Sequence, residues 1–219
     1  MAEKYGTIPK KFTKEWWEYF WDYYKIHTIA IAFIFIAVVS TIYSVLTSPK
    51  YDLFITYTAS EFIDDAQEQK LTEYINERIE DIDANGKTTT NIQQYVFSYN
   101  SYDAQYISAM ISKLHIDFVN DDTMLFIFSD DKKDYLIGTP ELDGAFENVN
   151  KWAPDISTDE LLYKDGEACA VSLKNSKKLK EMGIECDELY IAVRNFSTND
   201  QTALKRLEAS KIIANELLK

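Results

Sequence analysis

An uninterrupted apolar run near the start is the strongest pattern along this chain. Residues 28–48 read TIAIAFIFIAVVSTIYSVLTS and carry no charge over 21 positions. A helix rises about 1.5 Å per residue, so this run spans roughly 30 Å, the thickness of a bilayer's hydrocarbon core. A cleaved signal peptide has a shorter apolar core and a small-residue cleavage site. The run therefore predicts an uncleaved transmembrane helix, with a cleaved signal and a buried globular helix as the alternatives.

Aromatic side chains dominate the segment before the run. Residues 12–25 read FTKEWWEYFWDYYK and contain three of the four tryptophans. On a helix, the charged residues of this segment share one face and the rings line the others. Trp and Tyr favour the headgroup layer of a membrane, so we interpret residues 1–27 as a cytoplasmic, interfacial lead-in to the span. The alternative is a docking surface for a partner protein.

The distribution of charge predicts the orientation in the membrane. Five lysines precede the run, whereas Lys50 is the only basic residue within 49–69. Lys and Arg are retained on the cytoplasmic side of the plasma membrane, so we expect the N-terminus inside the cell and residues 49–219 outside. Residues 28–219 hold 18 basic and 32 acidic residues, a net charge of −14. This charge repels nucleic acid, which argues against DNA or RNA partners.

Short apolar runs alternate with helical stripes after the span. Such alternation is typical of βαβ units, and it predicts an α/β domain over 49–219 with a mostly parallel sheet and helices on both faces. The run 123–128 (TMLFIF) is apolar enough to be a central strand covered on both faces. The other predicted strands are 51–57, 92–99, 168–173 and 188–194, and the predicted helices are 61–83, 103–118, 176–182 and 200–218.

Several segments together resemble a known group of proteins. Their order is WWEYFWDYYKIH, the apolar run, YDLFITY, DIDANGK, MLFIFSDD, LKNSKKLKEMGI and DELYIAVRN. The chain resembles uncharacterised single-pass membrane proteins of Gram-positive, Clostridia-type bacteria, whose outer domain is similar to one lobe of an extracytoplasmic solute-binding protein. The resemblance implies a signal anchor and a solute-binding-like α/β domain. A complete two-lobed binding protein needs roughly twice this length, so no cleft between two lobes is expected.

The chain carries no motif that is typical of an enzyme. It lacks G-x-S-x-G, H-E-x-x-H, phosphate-loop and dinucleotide-binding patterns. Acidic pairs flank the central strand at 121–122 and 130–131, but paired carboxylates catalyse glycoside hydrolysis only at a set separation within a cleft. We therefore predict no catalytic residues, no cofactor and no metal site.

One segment nevertheless resembles the opening of a calcium loop. Asp81, Asp83 and Asn85 fit the pattern D-x-D-x-N-G, but position twelve is Ile92, where such loops place a bidentate acid. The favoured interpretation is a helix end, in which Asn85 and Gly86 supply a left-handed turn. If calcium binds here, the binding is expected to be weak.

The two cysteines, Cys169 and Cys186, each lie at or just before the start of a predicted strand. If those strands are parallel neighbours, their starts lie roughly 5 Å apart, within reach of a disulfide. An outside location permits oxidation. The sequence therefore leaves a disulfide and two buried free thiols as alternatives, with a catalytic thiol as a more distant one.

Polar residues follow the predicted strands, and open α/β sheets bind ligands beyond the carboxyl ends of their strands. Tyrosine rings with Asn, Ser, Asp and Arg beside them suit a sugar or another small polar ligand. Ordinary loop polarity is the alternative. The candidate ligand-binding residues are Tyr57, Ser60, Tyr99, Asn100, Tyr102, Asp130 and Arg194.

These features predict a membrane-anchored, extracytoplasmic binding or accessory module without catalytic activity, associated with a transporter or envelope complex. Its expected partners are the lipid bilayer, a membrane protein and a small polar ligand. One alternative is a structural scaffold that assembles through its anchor and aromatic tail. A more distant alternative is a surface hydrolase that uses the acidic pairs.

Overall fold

The chain divides into an N-terminal helical unit and a C-terminal α/β unit. The computed structural model describes residues 9–47, 50–98, 103–119, 123–139, 142 and 144–219. The two units are Met1–Pro49 and Lys50–Lys219, and the division falls directly after the apolar run.

The aromatic segment and the apolar run form one helix, α1 (Lys14–Thr47), of 34 residues. The Thr13 hydroxyl accepts a hydrogen bond from the Trp16 amide at 3.3 Å and caps the start of the helix. Inside the apolar run, the Thr41 hydroxyl donates to the carbonyl oxygen of Ala37 at 2.8 Å, so the helix itself satisfies this polar group. Within the described part of the chain, α1 is the one helix that is long and apolar enough to cross a membrane.

Six strands of the described residues form one mixed sheet. They are β1 (Leu53–Ala59), β2 (Thr90–Val96), β3 (Thr123–Ser129), β4 (Leu161–Lys164), β5 (Glu167–Ser172) and β6 (Leu189–Val193). Their order in the sheet is β2-β1-β3-β6-β5-β4. β1 pairs in parallel with β2 and β3. β6 runs antiparallel to β3 and β5, and β4 runs antiparallel to β5.

The prediction of a mostly parallel sheet therefore holds for β2, β1 and β3 and is wrong for the other half. The connection between β5 and β6 contains a helix of six residues, Lys177–Met182. Such a helix rises only about 9 Å, whereas a strand of five residues is about 17 Å long. The helix is too short to return the chain to the starting end of β5, so β6 runs in the opposite direction.

The described helices of this unit are α2 (Asp65–Asn76), α3 (Ala104–Val119), α4 (Lys133–Leu136), α5 (Lys177–Met182) and α6 (Gln201–Leu217). Asp64 and Gln67 form a capping box at the start of α2, and Ser176 and Asp200 cap α5 and α6 with their side chains. These starts agree with the predicted helices to within a few residues. α2 ends earlier than the predicted 83, because the following segment turns back towards Asp52.

The core lies in two layers, one on each face of the sheet. Leu125 and Ile127 of β3 point into the layer that α2, α5 and α6 cover. Phe126 and Phe128 point into the opposite layer, where Leu114 and Phe118 of α3 pack. Every residue of β3 is buried, so the prediction of a covered central strand is confirmed. The alternation places helices on both faces, as expected for an α/β domain.

Both cysteines are buried free thiols. Cys169 belongs to the core layer that α3 covers, whereas Cys186 belongs to the opposite layer. Because β5 and β6 are antiparallel, their starts lie at opposite ends of the pair. The parallel arrangement that would have brought the thiols within disulfide reach is therefore absent from these two strands.

Candidate functional site

A groove of about 620 Å³ opens at one end of the sheet. A volume of this size lies within the range of small-molecule sites. The carboxyl ends of β1 and β3 meet there because these strands are parallel. The start of the antiparallel β6 reaches the same end, where the Asp130 amide donates to the carbonyl oxygen of Glu188 at 2.9 Å. The lining therefore comes from three distant segments, within 57–67, 129–131 and 183–189.

A network of hydrogen bonds fixes the carboxylate of Asp131 in the groove wall. The Ser60 hydroxyl donates to Oδ2 of Asp131 at 2.6 Å, and the Ser129 hydroxyl donates to Oδ1. The ammonium of Lys132 donates to Oδ2 as well, and to the Ser60 oxygen at 2.8 Å. Partial burial raises the pKa of the Asp131 carboxyl, but the hydrogen bonds from Lys132, Ser129 and Ser60 lower it by more. The net pKa lies below its ordinary value, so Asp131 is a fixed anion.

Lys132 itself lies beneath this network and is shielded from solvent. Its side chain is 3% exposed, and its ammonium lies 5.0 Å from the centroid of the Phe97 ring. A buried cation needs a paired anion and further acceptors to offset its lost hydration. Asp131 and Ser60 supply both, which explains why two polar residues converge at the end of β1 and β3.

Tyr57 forms part of the floor of the groove. The residue is only 6% exposed, and among the described residues no partner donates to or accepts from its hydroxyl. Burial, and then the negative charge of Glu61, raise the pKa of Tyr57 to about 12. The hydroxyl is thus a neutral donor and acceptor at physiological pH, held close to an exposed carboxylate.

The rim of the groove is acidic. Its other charged lining residues are Glu61, Glu185, Asp187 and Glu188, all of them exposed. The ammonium of Lys180 lies 4.0 Å from the carboxylate of Asp187 at this rim. The ring of Phe62 also stands at the rim and is 58% exposed.

The structure brings together part of the predicted ligand-binding set. Tyr57 and Ser60 line the groove. Asp130 lies in the same turn, but its carboxylate accepts a hydrogen bond from Lys133 at 2.9 Å, and the neighbouring Asp131 lines the groove instead. The predicted residues Tyr99, Asn100 and Tyr102 lie outside the described residues.

Arg194 lies at the other end of the sheet. Its amide donates to the carbonyl oxygen of Met124 at 2.9 Å, next to the start of β3. Its guanidinium lies 5.9 Å from the ring of Phe118 and 5.1 Å from that of Phe196. Grouping Arg194 with the other residues assumed that β6 runs parallel to β3, and the antiparallel pairing removes it from the groove.

Sequence reasoning missed Asp131 and the acids of 185–188. Asp131 follows a buried strand, as Asp130 does, and no sequence signal distinguishes which of the two turns towards Ser60. The segment 185–188 precedes a strand, so it enters the site only because β6 is antiparallel. The sequence feature that could have indicated this segment is the presence of acidic residues directly before a predicted strand.

The segment that resembles a calcium loop is an internally hydrogen-bonded turn. The Asp81 carboxylate accepts from the amides of Asn85 at 3.1 Å and Gly86 at 2.7 Å, and the Asp83 carboxylate accepts from Asn85 at 3.0 Å. These bonds, with that from Gly86 the largest contribution, lower the pKa of Asp81. Gly86 has a positive φ of 86°, but it closes a loop and not the end of α2.

The buried Asp52 lies beside this turn, and ligand oxygens of Asp52, Asp81 and Asp83 are within 4.8 Å of one another. The Asp52 carboxylate already accepts hydrogen bonds from the amides of Ile82, Asp83 and Thr89. Its oxygens therefore hold the loop 79–89 against the start of β1. The cluster of Asp52, Asp81 and Asp83 thus has a structural role, because its carboxylates bind the amides of the loop.

Comparison with known proteins gives no further assignment. No protein-family model matches the chain, and neither a curated protein nor a solved structure is significantly similar to it.

Proposed function

We propose that this protein is a membrane-anchored, extracytoplasmic binding module without catalytic activity, in which α1 spans the plasma membrane and the α/β domain binds a small polar ligand. The groove at the carboxyl ends of β1 and β3 carries this proposal, because ligands of open α/β sheets bind at that place. The domain would act as a single solute-binding-like lobe beside a transporter or envelope complex.

The membrane arrangement is supported by the length of α1 and by its flanking charges. The apolar part of the helix matches the hydrocarbon thickness, and the lysines before it favour a cytoplasmic N-terminus. The full chain is expected in the membrane fraction, resistant to alkaline carbonate. Protease added to intact cells should digest the α/β domain and leave a tag at the N-terminus protected. Protection of the domain, or release of the chain by carbonate, contradicts the arrangement.

The binding role is tested by thermal unfolding of the full chain in detergent against sugars, amino acids, peptides, nucleosides and amines. A ligand at 100 times its dissociation constant adds about 2.7 kcal/mol, which corresponds to about 5 °C or more for a domain of this size. Ser60→Ala should reduce the shift, whereas Ser157→Ala, on an exposed loop away from the groove, should leave it unchanged. The absence of a shift from every class contradicts a small-ligand function.

The contacts of Ser60 favour binding over nucleophilic catalysis. Its hydroxyl donates to Asp131 and accepts from Lys132, and because the pKa of Asp131 lies below its ordinary value, this carboxylate is a weak base for the serine proton. A nucleophilic serine instead needs a base that takes its proton. Turnover of ester, peptide or glycoside substrates that disappears in Ser60→Ala or Asp130→Asn would overturn the non-catalytic assignment.

A scaffold function is the second candidate, and the aromatic part of α1 favours it. Trp16 and Phe20 stack with ring centroids 5.4 Å apart, and Phe20 and Tyr24 stack at 5.5 Å. Trp17 and Trp21 are each 55% exposed. A scaffold should co-purify with a membrane protein and lose it when Trp16, Trp17 and Trp21 become alanine. Unchanged co-purification contradicts docking through these rings.

A further inference from the structure

We propose that the groove binds a linear polyamine, an organic cation whose positive charges are spread along a flexible chain. This inference rests on the proposed binding function and names the class of ligand. Four observations carry it: the sign of the lining charges, their spacing, the fixed position of one carboxylate and the unpartnered hydroxyl in the floor.

Each charged residue that lines the groove, among those the structure describes, is an acid. The set consists of Glu61, Asp131, Glu185, Asp187 and Glu188, and it comes from all three segments of the wall. A concave surface with charges of one sign concentrates ions of the opposite sign. The groove therefore selects against anions and favours cations over neutral sugars.

The spacing of the acids favours an extended cation over a single metal ion. Among the described residues, only Asp52, Asp81 and Asp83 bring three ligand atoms within 4.8 Å of one another, and they lie outside the groove. A divalent metal needs several oxygens converging on one point. No three described acids of the groove converge in this way, and carboxylates that do not share one point instead match ammonium groups separated by hydrocarbon.

Asp131 gives the site a preorganised anchor. Both of its oxygens already accept hydrogen bonds from Ser60, Ser129 and Lys132, yet its side chain remains 49% exposed towards solvent. A carboxylate oxygen accepts more than one hydrogen bond, so the exposed part can accept from an ammonium. Because the network holds the group in place, little side-chain entropy is lost on binding.

Tyr57 supplies the second independent indication of a ligand. The residue is more than nine-tenths buried and lines the groove, and its hydroxyl has no hydrogen-bond partner among the residues described. An ammonium donor near the charge of Glu61 would satisfy this oxygen. Apolar lining from Ile63, Ile184 and Leu189 can contact the methylene groups between charges, and the exposed ring of Phe62 offers a face to a cation.

The test is titration calorimetry of the full chain in detergent with spermidine, with triacetylated spermidine and with Mg²⁺ at matched ionic strength. The double variant Glu185→Gln/Asp187→Asn removes two rim charges. The matched control, Asp155→Asn/Asp159→Asn, removes two exposed acids outside the groove. We expect spermidine to bind about tenfold or more weakly to the groove variant, to bind unchanged to the control, and to lose binding on acetylation.

Three results would overturn the polyamine assignment. They are equal weakening in both double variants, complete displacement of spermidine by Mg²⁺, and undiminished binding of the acetylated compound. A neutral ligand whose binding is reduced by Tyr57→Phe, with no binding of spermidine, also rejects the polyamine but retains the binding function. No binding from any compound rejects both. Because Glu185 and Asp187 are exposed, the groove variant should keep the unfolding midpoint of the unchanged protein. Measuring the midpoints of the variants therefore tests whether misfolding causes a loss of binding.

Discussion

Lys132 is a buried cation, and the free-energy cost of its burial depends on two neighbouring side chains. Its ammonium donates hydrogen bonds to Asp131 and Ser60. Removing one partner of a buried ion pair leaves an uncompensated charge, which costs more than the pair itself contributes. The network therefore has two roles, because it stabilises the end of β3 and positions a carboxylate in the groove.

Asp131→Asn is expected to lower the free energy of unfolding by about 2 kcal/mol at pH 7, less than for a fully buried pair because the carboxylate is half exposed. The folded-state pKa of Asp131 lies below its unfolded value. Its contribution is therefore complete above the unfolded pKa of about 3.9 and is lost as the pH falls through the folded pKa. Urea unfolding as a function of pH measures the difference in the free energy of unfolding between Asp131→Asn and the unchanged protein.

Asp130→Asn is the matched control for this prediction. Its carboxylate pairs with the partly exposed Lys133, so the change should stay within about 0.5 kcal/mol. Equal losses in both variants, or a gap for Asp131→Asn that persists at the lowest pH, would contradict the role of Asp131 as the partner of Lys132.

At the scale of elements, sequence pattern predicted most helices and strands but not all of their ends. α5 agrees closely because Ser176 and Gly183 mark both of its ends. α2 is shorter than its apolar stripe, which continues through Ile79 and Ile82. The carboxylate of Asp52, which directly precedes β1, accepts hydrogen bonds from the amides of Ile82 and Asp83, so these residues do not continue the helix. Such a long-range acceptor leaves no trace in local periodicity.

Gly183 ends α5 in the left-handed conformation, with φ 83°. Gly183→Ala should destabilise the full chain by about 1 kcal/mol, because an alanine resists this φ. The nearest atom to an added Cβ, Nε2 of Gln67, is 3.8 Å away, so the cost is conformational and not steric. Gly183→Asn should cost less, since Asn tolerates this conformation better. Chemical unfolding measures both, and equal losses would point to a steric cause.

The separation of the two cysteines gives a second prediction at this scale. After denaturation without reductant, the chain purified from oxidising conditions should react with an alkylating agent at both Cys169 and Cys186. In the folded protein both thiols should react slowly, since both are buried and burial raises the pKa of each. Mass spectrometry counts the alkyl groups, and a chain that takes up none after denaturation would indicate a disulfide.

At the scale of the whole molecule, the sequence predicted an α/β domain but not the direction of its later strands. The alternation of elements is the same for parallel and antiparallel arrangements when a connecting helix is short. Because β6 runs antiparallel to β3 and not parallel, Arg194 lies at the far end of the sheet, and the segment 185–188 lines the groove, which the sequence did not predict. The part of the site built by β1 and β3 was predictable because those strands are parallel.

The division of the chain predicts that residues 50–219 fold without α1. Their core is formed by the described residues of that unit alone. The fragment Lys50–Lys219 should unfold cooperatively, with a midpoint within about 3 °C of the full chain in detergent, a difference that corresponds to roughly 1 kcal/mol at this size. Circular dichroism measures both transitions. A fragment without a transition would mean that α1 is required for the fold.

The groove wall combines residues from positions 57 to 189, so no contiguous stretch of the chain contains the site. During synthesis, the end of β1 emerges long before β6, and their pairing through β3 requires closure of long loops. A nascent or truncated chain that lacks β6 thus has Ser60 and Asp131 but no second wall. Under the proposed function, ligand binding would begin only after β6 has docked. The onset of binding would then report that folding is complete.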